Sequence, residues 1–142
     1  MLIRKAKAVW ENNLKEGNGV YYLESGSCQG AYSFSTRFED EPGSNPEELL
    51  GAAHAACFSM AFAHELFEAG FVAQVVETEA VIQLNKLDDG FKIESSTLNA
   101  KVQVSSGSPD EIQKIAELAK KNCPVSQALQ GLSIKLNLKI IK

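Results

Sequence analysis

The stretch from Asn45 to Phe71, NPEELLGAAHAACFSMAFAHELFEAGF, decides the fold. Asn45 sits where an N-cap belongs, Pro46 at the first helical position and Gly70 where a helix closes, so the spacing predicts one long helix. After its first turn only His54, Ser59, His64, Glu65 and Glu68 interrupt an interior that is apolar on nearly every side. Such a helix is expected to be a buried central spine, wrapped by other elements rather than laid on a surface. Its roughly 24 residues would span about 36 Å, against a domain width of about 30 Å. Part of its apolar surface therefore exceeds what one short chain can cover, and a homodimer would cover the rest.

Working towards the N-terminus, Leu2 to Trp10 alternate loosely and Val20 to Leu23 are β-prone, with a turn at 15–19 between them, which predicts an opening hairpin. A flexible link, ESGSCQG at 24–30, leads to a further strand expected over Ala31 to Phe38, and the acidic turn at 39–44 delivers the chain to the helix. Beyond Gly70 the β-rich run Val72 to Leu87 carries Val75, Glu77, Glu79, Val81 and Gln83 on its wetter side and Val76, Thr78, Ala80, Ile82 and Leu84 on the other. Asp88-Asp89-Gly90 signals a hairpin, and Phe91 to Val104 is the returning strand. Ser108-Pro109-Asp110-Glu111 is a capping box with proline at the first helical position, followed by the apolar stripe Ile112, Ile115, Ala116 and Ala119. This second helix should stop near Asn122, because Pro124 disfavours helical geometry at Cys123. A short helical run from Pro124 to Leu129 ends at Gly131, and Leu132 to Ile141 alternates cleanly as a last strand. The order implies one α+β domain over residues 1–142 with a largely antiparallel sheet.

Composition narrows the function classes. A net charge of −4 gives no electrostatic reason to expect nucleic acid or an anionic membrane surface, and small neutral or apolar partners fit better. The opening run MLIRKAKAVWENN turns charged too early for a secretory signal, and the helix carries His64, Glu65 and Glu68 where a membrane span needs hydrophobes. A cytoplasmic protein is expected. Three cysteines, an odd number, argue against a secreted disulfide scaffold and for thiols kept reduced unless they do chemistry.

Two of those thiols stand in suggestive places. Cys57 lies mid-helix among Ala55, Ala56, Phe58 and Met60, where cysteine is commonly an inert small hydrophobe. Burial would raise its pKa, so reactivity would need a cation brought from elsewhere. Arg4 and Arg37 are the only arginines; Arg37 is either a solvated turn charge or that cation. Cys123 precedes Pro124 at a helix start, where the dipole favours thiolate, and on local physics it is the more acidic thiol. His54, Cys57 and His64 fall near one helical face, which opens a zinc or iron reading. Zinc motifs have closer ligand clusters, however, and a histidine on such a helix is more often hydrogen-bonded structure.

NPEELLGAAHAACFSMA, followed at a distance by CPVSQAL and preceded by TRFED, closely resembles the OsmC branch of the osmotically inducible protein C and organic hydroperoxide resistance (OsmC/Ohr) family. The resemblance covers most of the chain from about Thr36 onward, with the helix and CPVSQAL motifs its most specific parts. It implies a stress-response thiol peroxidase that reduces organic hydroperoxides to alcohols, built as an intertwined α+β homodimer with its sites at the subunit interface. By position, Cys57 matches the peroxidatic cysteine, Cys123 the resolving cysteine, Arg37 the arginine of TRFED and Glu47 the first glutamate of NPEE. The implied chemistry is a Cys57 sulfenic acid and then a Cys57–Cys123 disulfide, reduced by an external dithiol that in the family is often lipoyl. Arg37 would stabilise the Cys57 thiolate and the leaving alkoxide, and Glu47 would hold its guanidinium.

Ten residues of straight helix, about 15 Å, separate Glu47 from Cys57. Either Arg37 bridges that span, the helix bends, or Glu47 serves the cysteine of a second subunit; a site assembled from both chains is the favoured expectation. Cys28 has no place in the family pattern and is expected to be an exposed, non-catalytic thiol. Phe58, Met60 and Phe62 are expected to be mostly core, with some lining a pocket for alkyl hydroperoxides. No metal, haem or flavin is implied. Two rivals stay open: a dimeric, non-catalytic binder of an apolar small molecule, and a metal-binding protein using His54, Cys57, His64 or Cys123.

Overall fold

The first three strands, β1 (Ala6–Glu11), β2 (Asn18–Leu23) and β3 (Gln29–Ser33), form an antiparallel meander in the computed structural model, which describes every residue from Met1 to Lys142. They belong to the first of two compact units, Met1–Leu49 and Leu50–Lys142. In this sheet Trp10 pairs with Gly19 and Gly19 with Tyr32. A Cβ on Gly19 would lie 2.5 Å from the Tyr32 ring and 2.8 Å from Trp10, so the missing side chain is what lets the two rings approach, centroids 5.5 Å apart.

β3 stops at Ser33, short of the Phe38 expected from β-propensity, and Phe34–Phe38 is a short helix, α1. The cause is a reciprocal cap. The Thr36 amide donates to Ser33 Oγ at 3.2 Å and the Ser33 amide to Thr36 Oγ1 at 2.9 Å, which satisfies donors that a strand would have offered to a ladder. Next comes the long helix α2 (Pro46–Glu68), opened by Asn45, whose Oδ1 accepts from the Glu48 amide at 2.8 Å.

In the second unit β4 (Ala73–Leu87), β5 (Gly90–Val104) and β6 (Ser133–Ile141) form a sheet in that order. β4 and β5 pair antiparallel, with Leu87 opposite Gly90 across the two-residue turn Asp88-Asp89. β6 pairs with β5 in parallel, so the expectation of a largely antiparallel sheet holds for three of the four strand pairings and fails at the fourth. The connection explains the direction. From β5 the chain crosses through α3 (Pro109–Asn122) and α4 (Pro124–Ala128) before entering β6, and a helical crossover returns a strand parallel to the one it left.

The core forms where β5 turns Leu98, Ala100, Val102 and Val104 inward against Phe58, Phe62 and Leu66 of α2 and Ile112, Ala116 and Ala119 of α3. Along α2 the buried positions Gly51, His54, Phe58, Phe62 and Leu66 recur every three or four residues, which is a single stripe. Gly51 lets this stripe approach β4, because a Cβ there would stand 3.2 Å from the Ala80 carbonyl oxygen. The other side of α2 is not covered. Ala52, Ala53, Ala56 and Ala63 are exposed, as are Met60 (76%) and Phe67 (68%), so within one chain α2 is half buried rather than wrapped. Cutting Phe62 back to alanine should cost about 3–5 kcal/mol, read as a lowered urea midpoint at unchanged m-value.

Candidate active site

The inner stripe of α2 brings His54 to the middle of the second unit, and Cys57, three residues on, is partly buried beside it. Pro124 ends α3 and starts α4 at once, which leaves Cys123 as the residue that both terminates one helix and caps the next. Cys123 is fully buried. The two thiols lie close enough to perturb each other's ionisation, and no disulfide joins any of the three cysteines.

The two thiols are shifted in opposite directions. Burial pushes the Cys57 thiol up, and donating its proton to Cys123 pushes it further, against the pull of the Val125 amide. Burial acts the same way on Cys123 but is outweighed. Cys123 receives the Cys57 thiol, the Ser126 amide at 3.5 Å, the Ser126 hydroxyl and the Val125 amide, and its pKa falls below the ordinary thiol value. Of the two thiols Cys123 is thus the one drawn towards the thiolate, as local sequence physics also ranks it.

His54 is fully buried, and both ring nitrogens are engaged: Nδ1 with Ser96 Oγ of β5 and Nε2 with Ser126 Oγ of α4, each at 2.7 Å. Neither nitrogen is left to ligate a metal, which removes the centre of the metal reading drawn from the spacing of His54, Cys57 and His64. Burial lowers the His54 pKa. Its folded value thus lies below the unfolded one, so unfolding takes up a proton as pH falls through the unfolded value of about 6.5 and stability falls with it. Urea midpoints measured from pH 7.5 down to 5.5 should show this loss, and His54→Gln should flatten it.

The first unit carries the other two expected residues. Arg37, at the end of α1, donates Nε to both Glu47 carboxylate oxygens at 3.2 Å and Nη2 to Oε1 at 2.8 Å, and its guanidinium lies 5.0 Å from the Phe38 ring centroid. Glu47 is nearly buried in the first turn of α2, which fixes the fork in direction as well as in charge. Beside it opens a cavity of about 290 Å³ lined by Trp10, Leu14, Tyr32, Phe34, Arg37 and Phe38. Of the residues expected to be mostly core, Phe58 and Phe62 are core, their rings 5.7 Å apart, whereas Met60 is exposed. Reading Ala31 to Phe38 as a strand gives no sign of this cavity, which depends on the helix at Phe34–Phe38 and on the register that brings Trp10 and Tyr32 together. Cys28 is exposed in the link between β2 and β3.

With this geometry in hand, residues 38–139 match the model of the OsmC family, described as OsmC-like protein. The chain is 47% identical to peroxiredoxin OsmC of Escherichia coli K12 over 129 residues, 90% of each chain. It is 31% identical to the organic hydroperoxide resistance protein OhrB of Bacillus subtilis over 71% of this chain and 74% of that one. Among solved structures, an OsmC-like protein of Vibrio cholerae superposes with a TM-score of 0.78 over 98% of this chain and 100% of that one; at 19% identity the likeness is one of fold.

Proposed function

Given that the chain belongs to the family of OsmC-like proteins, we propose that it is a cysteine-based peroxidase that reduces organic hydroperoxides to alcohols, Cys57 being the nucleophile and Cys123 the resolving thiol. The observation that carries this reading is the closeness of these two free thiols, each perturbing the other's ionisation, beside the Val125 and Ser126 amides. The Cys57 thiolate gives an electron pair to the distal peroxide oxygen, the O–O bond breaks, and the alkoxide leaves and takes a proton. Cys57 now carries S–OH. The Cys123 thiolate attacks that sulfur, the S–O bond breaks, hydroxide leaves as water after protonation, and a disulfide remains. Two thiols and one hydroperoxide thus yield one disulfide, one alcohol and one water. An external dithiol of the lipoyl type returns the disulfide to thiols by exchange.

The opposite directions in which the two thiols are shifted set a condition. Cys57 becomes the nucleophile when a cation is brought to it from outside its helix, and Arg37, held by Glu47, is that cation. The site is assembled from two subunits, because the uncovered apolar side of α2, with Ala56, Met60, Ala63 and Phe67, supplies a surface for a second copy. The aromatic cavity beside Arg37 takes the organic part of the substrate and favours alkyl hydroperoxides over hydrogen peroxide. No helix is long and apolar enough to cross a membrane, and the odd count of three cysteines fits thiols kept reduced, as in the cytoplasm.

The test is steady-state consumption of cumene hydroperoxide and of hydrogen peroxide with dihydrolipoate as reductant, beside sedimentation equilibrium. Consumption faster for cumene hydroperoxide, by a species of twice the chain mass, is expected. Rates no higher than the dithiol alone would overturn the activity, and full activity in a monomer would overturn the two-chain site.

A further inference from the structure

We propose that His54 is a positioning residue for the resolving step: through Ser126 it holds a hydrogen-bond donor on the sulfur of Cys123. The inference rests on the reading of Cys123 as the thiol that attacks the Cys57 sulfenic acid. It starts from three hydroxyl and imidazole groups buried in line. Ser96 Oγ meets His54 Nδ1 at 2.7 Å, His54 Nε2 meets Ser126 Oγ at 2.7 Å, and the Ser126 amide donates to Cys123 Sγ at 3.5 Å, with the Ser126 hydroxyl near enough to help draw down the Cys123 thiol.

The chain has one direction when Cys123 is a thiolate. A thiolate only accepts, so the Ser126 hydroxyl must donate to it. The Ser126 oxygen can then take a proton donor from His54, which places the imidazole proton on Nε2. Nδ1 is left as an acceptor and is filled by the Ser96 hydroxyl. Every donor in the line points towards Cys123, and each group is satisfied. A neutral imidazole suits this task, since it presents one donor and one acceptor on opposite sides of the ring.

Oxidation makes the arrangement matter. In the resting pair Cys123 draws on the Cys57 S–H, and that contact is lost once Cys57 gives up its proton to attack the peroxide. Ser126 and the amides remain, so the thiolate is held at the moment when it must attack. Few other charges face it. From α2 come Cys57 and His54, and Glu65 accepts from Asn122 of α3, the neighbour of Cys123; on α3 Lys120 is paired with Glu117 at 2.7 Å, and Lys121 is exposed. β5 contributes the uncharged Ser96, and β6 packs apolar residues such as Ile134 and Leu136.

The experiment uses the full chain carrying Cys28→Ser and Cys57→Ser, in which Cys123 is the sole thiol, and titrates its ultraviolet thiolate band. Ser126→Ala and His54→Leu should each raise the midpoint by one to two pH units, the shift expected from losing one hydrogen bond to a charged sulfur. Together they should raise it no further than either alone, and His54→Gln, which can both accept from Ser96 and donate to Ser126, should restore most of it. An unmoved midpoint in Ser126→Ala, additive effects in the double variant, or a His54→Gln indistinguishable from His54→Leu would overturn the proposal. Ser126→Ala and His54→Gln leave the packing volume nearly intact and decide the matter even where His54→Leu does not fold. In the protein retaining Cys57 and Cys123, stopped-flow with cumene hydroperoxide should show the disulfide phase slowed about ten- to hundredfold in Ser126→Ala, and slowed more than the sulfenic acid phase. A wild-type chain that forms no Cys57–Cys123 disulfide would defeat the peroxidase reading instead, and the Cys123 titration would still judge His54.

Discussion

Cys57→Ser is expected to lose at least about a thousandfold in hydroperoxide consumption, because the proposed mechanism gives the peroxide oxygen to the Cys57 sulfur. The opposite substitution separates the two roles. Cys123→Ser should consume one equivalent of cumene hydroperoxide per chain at close to the normal rate and then stop with Cys57 held as S–OH. Stopped-flow measurement of peroxide loss, with dimedone trapping of the product, distinguishes these outcomes. The contrast is demanding, because in the isolated chain Cys123 is the more acidic thiol. Consumption that persists in Cys57→Ser would make Cys123 the nucleophile and reverse the assignment.

The second large effect is expected at Arg37. Arg37→Lys keeps the positive charge but loses the planar fork that Glu47 grips through Nε and Nη2. The sulfenic acid phase should slow by about two to three powers of ten, as when an oriented donor is removed from a developing oxyanion. Its pH profile should move to higher pH, because the cation that favours thiolate on Cys57 is no longer held in place. Glu47→Gln should shift the rate and the profile in the same direction by less, since the fork keeps a hydrogen-bond partner but loses the opposite charge. Stopped-flow rates between pH 5 and 9 read both. A profile that stays in place while the rate falls would assign Arg37 to substrate binding alone.

Local chemistry was the most legible part of the sequence. The Asn45 and Ser108 caps, the Asp88-Asp89 turn and the alternation along β4 depend on neighbours a few residues apart, and they stand where composition and spacing put them. Long-range choices were not legible. The parallel pairing of β6 follows from a crossover through two helices, and nothing within the alternating run Leu132 to Ile141 states which neighbour it joins or in which direction. The helix at Phe34–Phe38 was misread as strand because the Ser33–Thr36 cap overrode the β-propensity of the aromatic residues around it.

The candidate site divides the same way. That Cys123 caps a helix is written in NCPVS, whereas its meeting with Cys57 entered through family resemblance, since no local pattern joins α2 to α4. His54 reads as hydrogen-bonded structure more readily than as a metal ligand, and it is hydrogen-bonded on both ring nitrogens, but its partners, Ser96 and Ser126, lie 42 and 72 residues away and carry no motif that names them in advance. The exposed apolar side of α2 was foreseen as surplus surface, but it is concentrated on one face, which a helix apolar on every side does not announce.

The most direct test of the central claim is the mass of the oxidised chain. Cys28→Ser protein, treated with one equivalent of cumene hydroperoxide without reductant and digested, should lose two hydrogen masses and yield one cross-linked peptide pair joining Cys57 to Cys123. A product in which Cys57 is unmodified, or in which Cys57 and Cys123 are never joined, would contradict it.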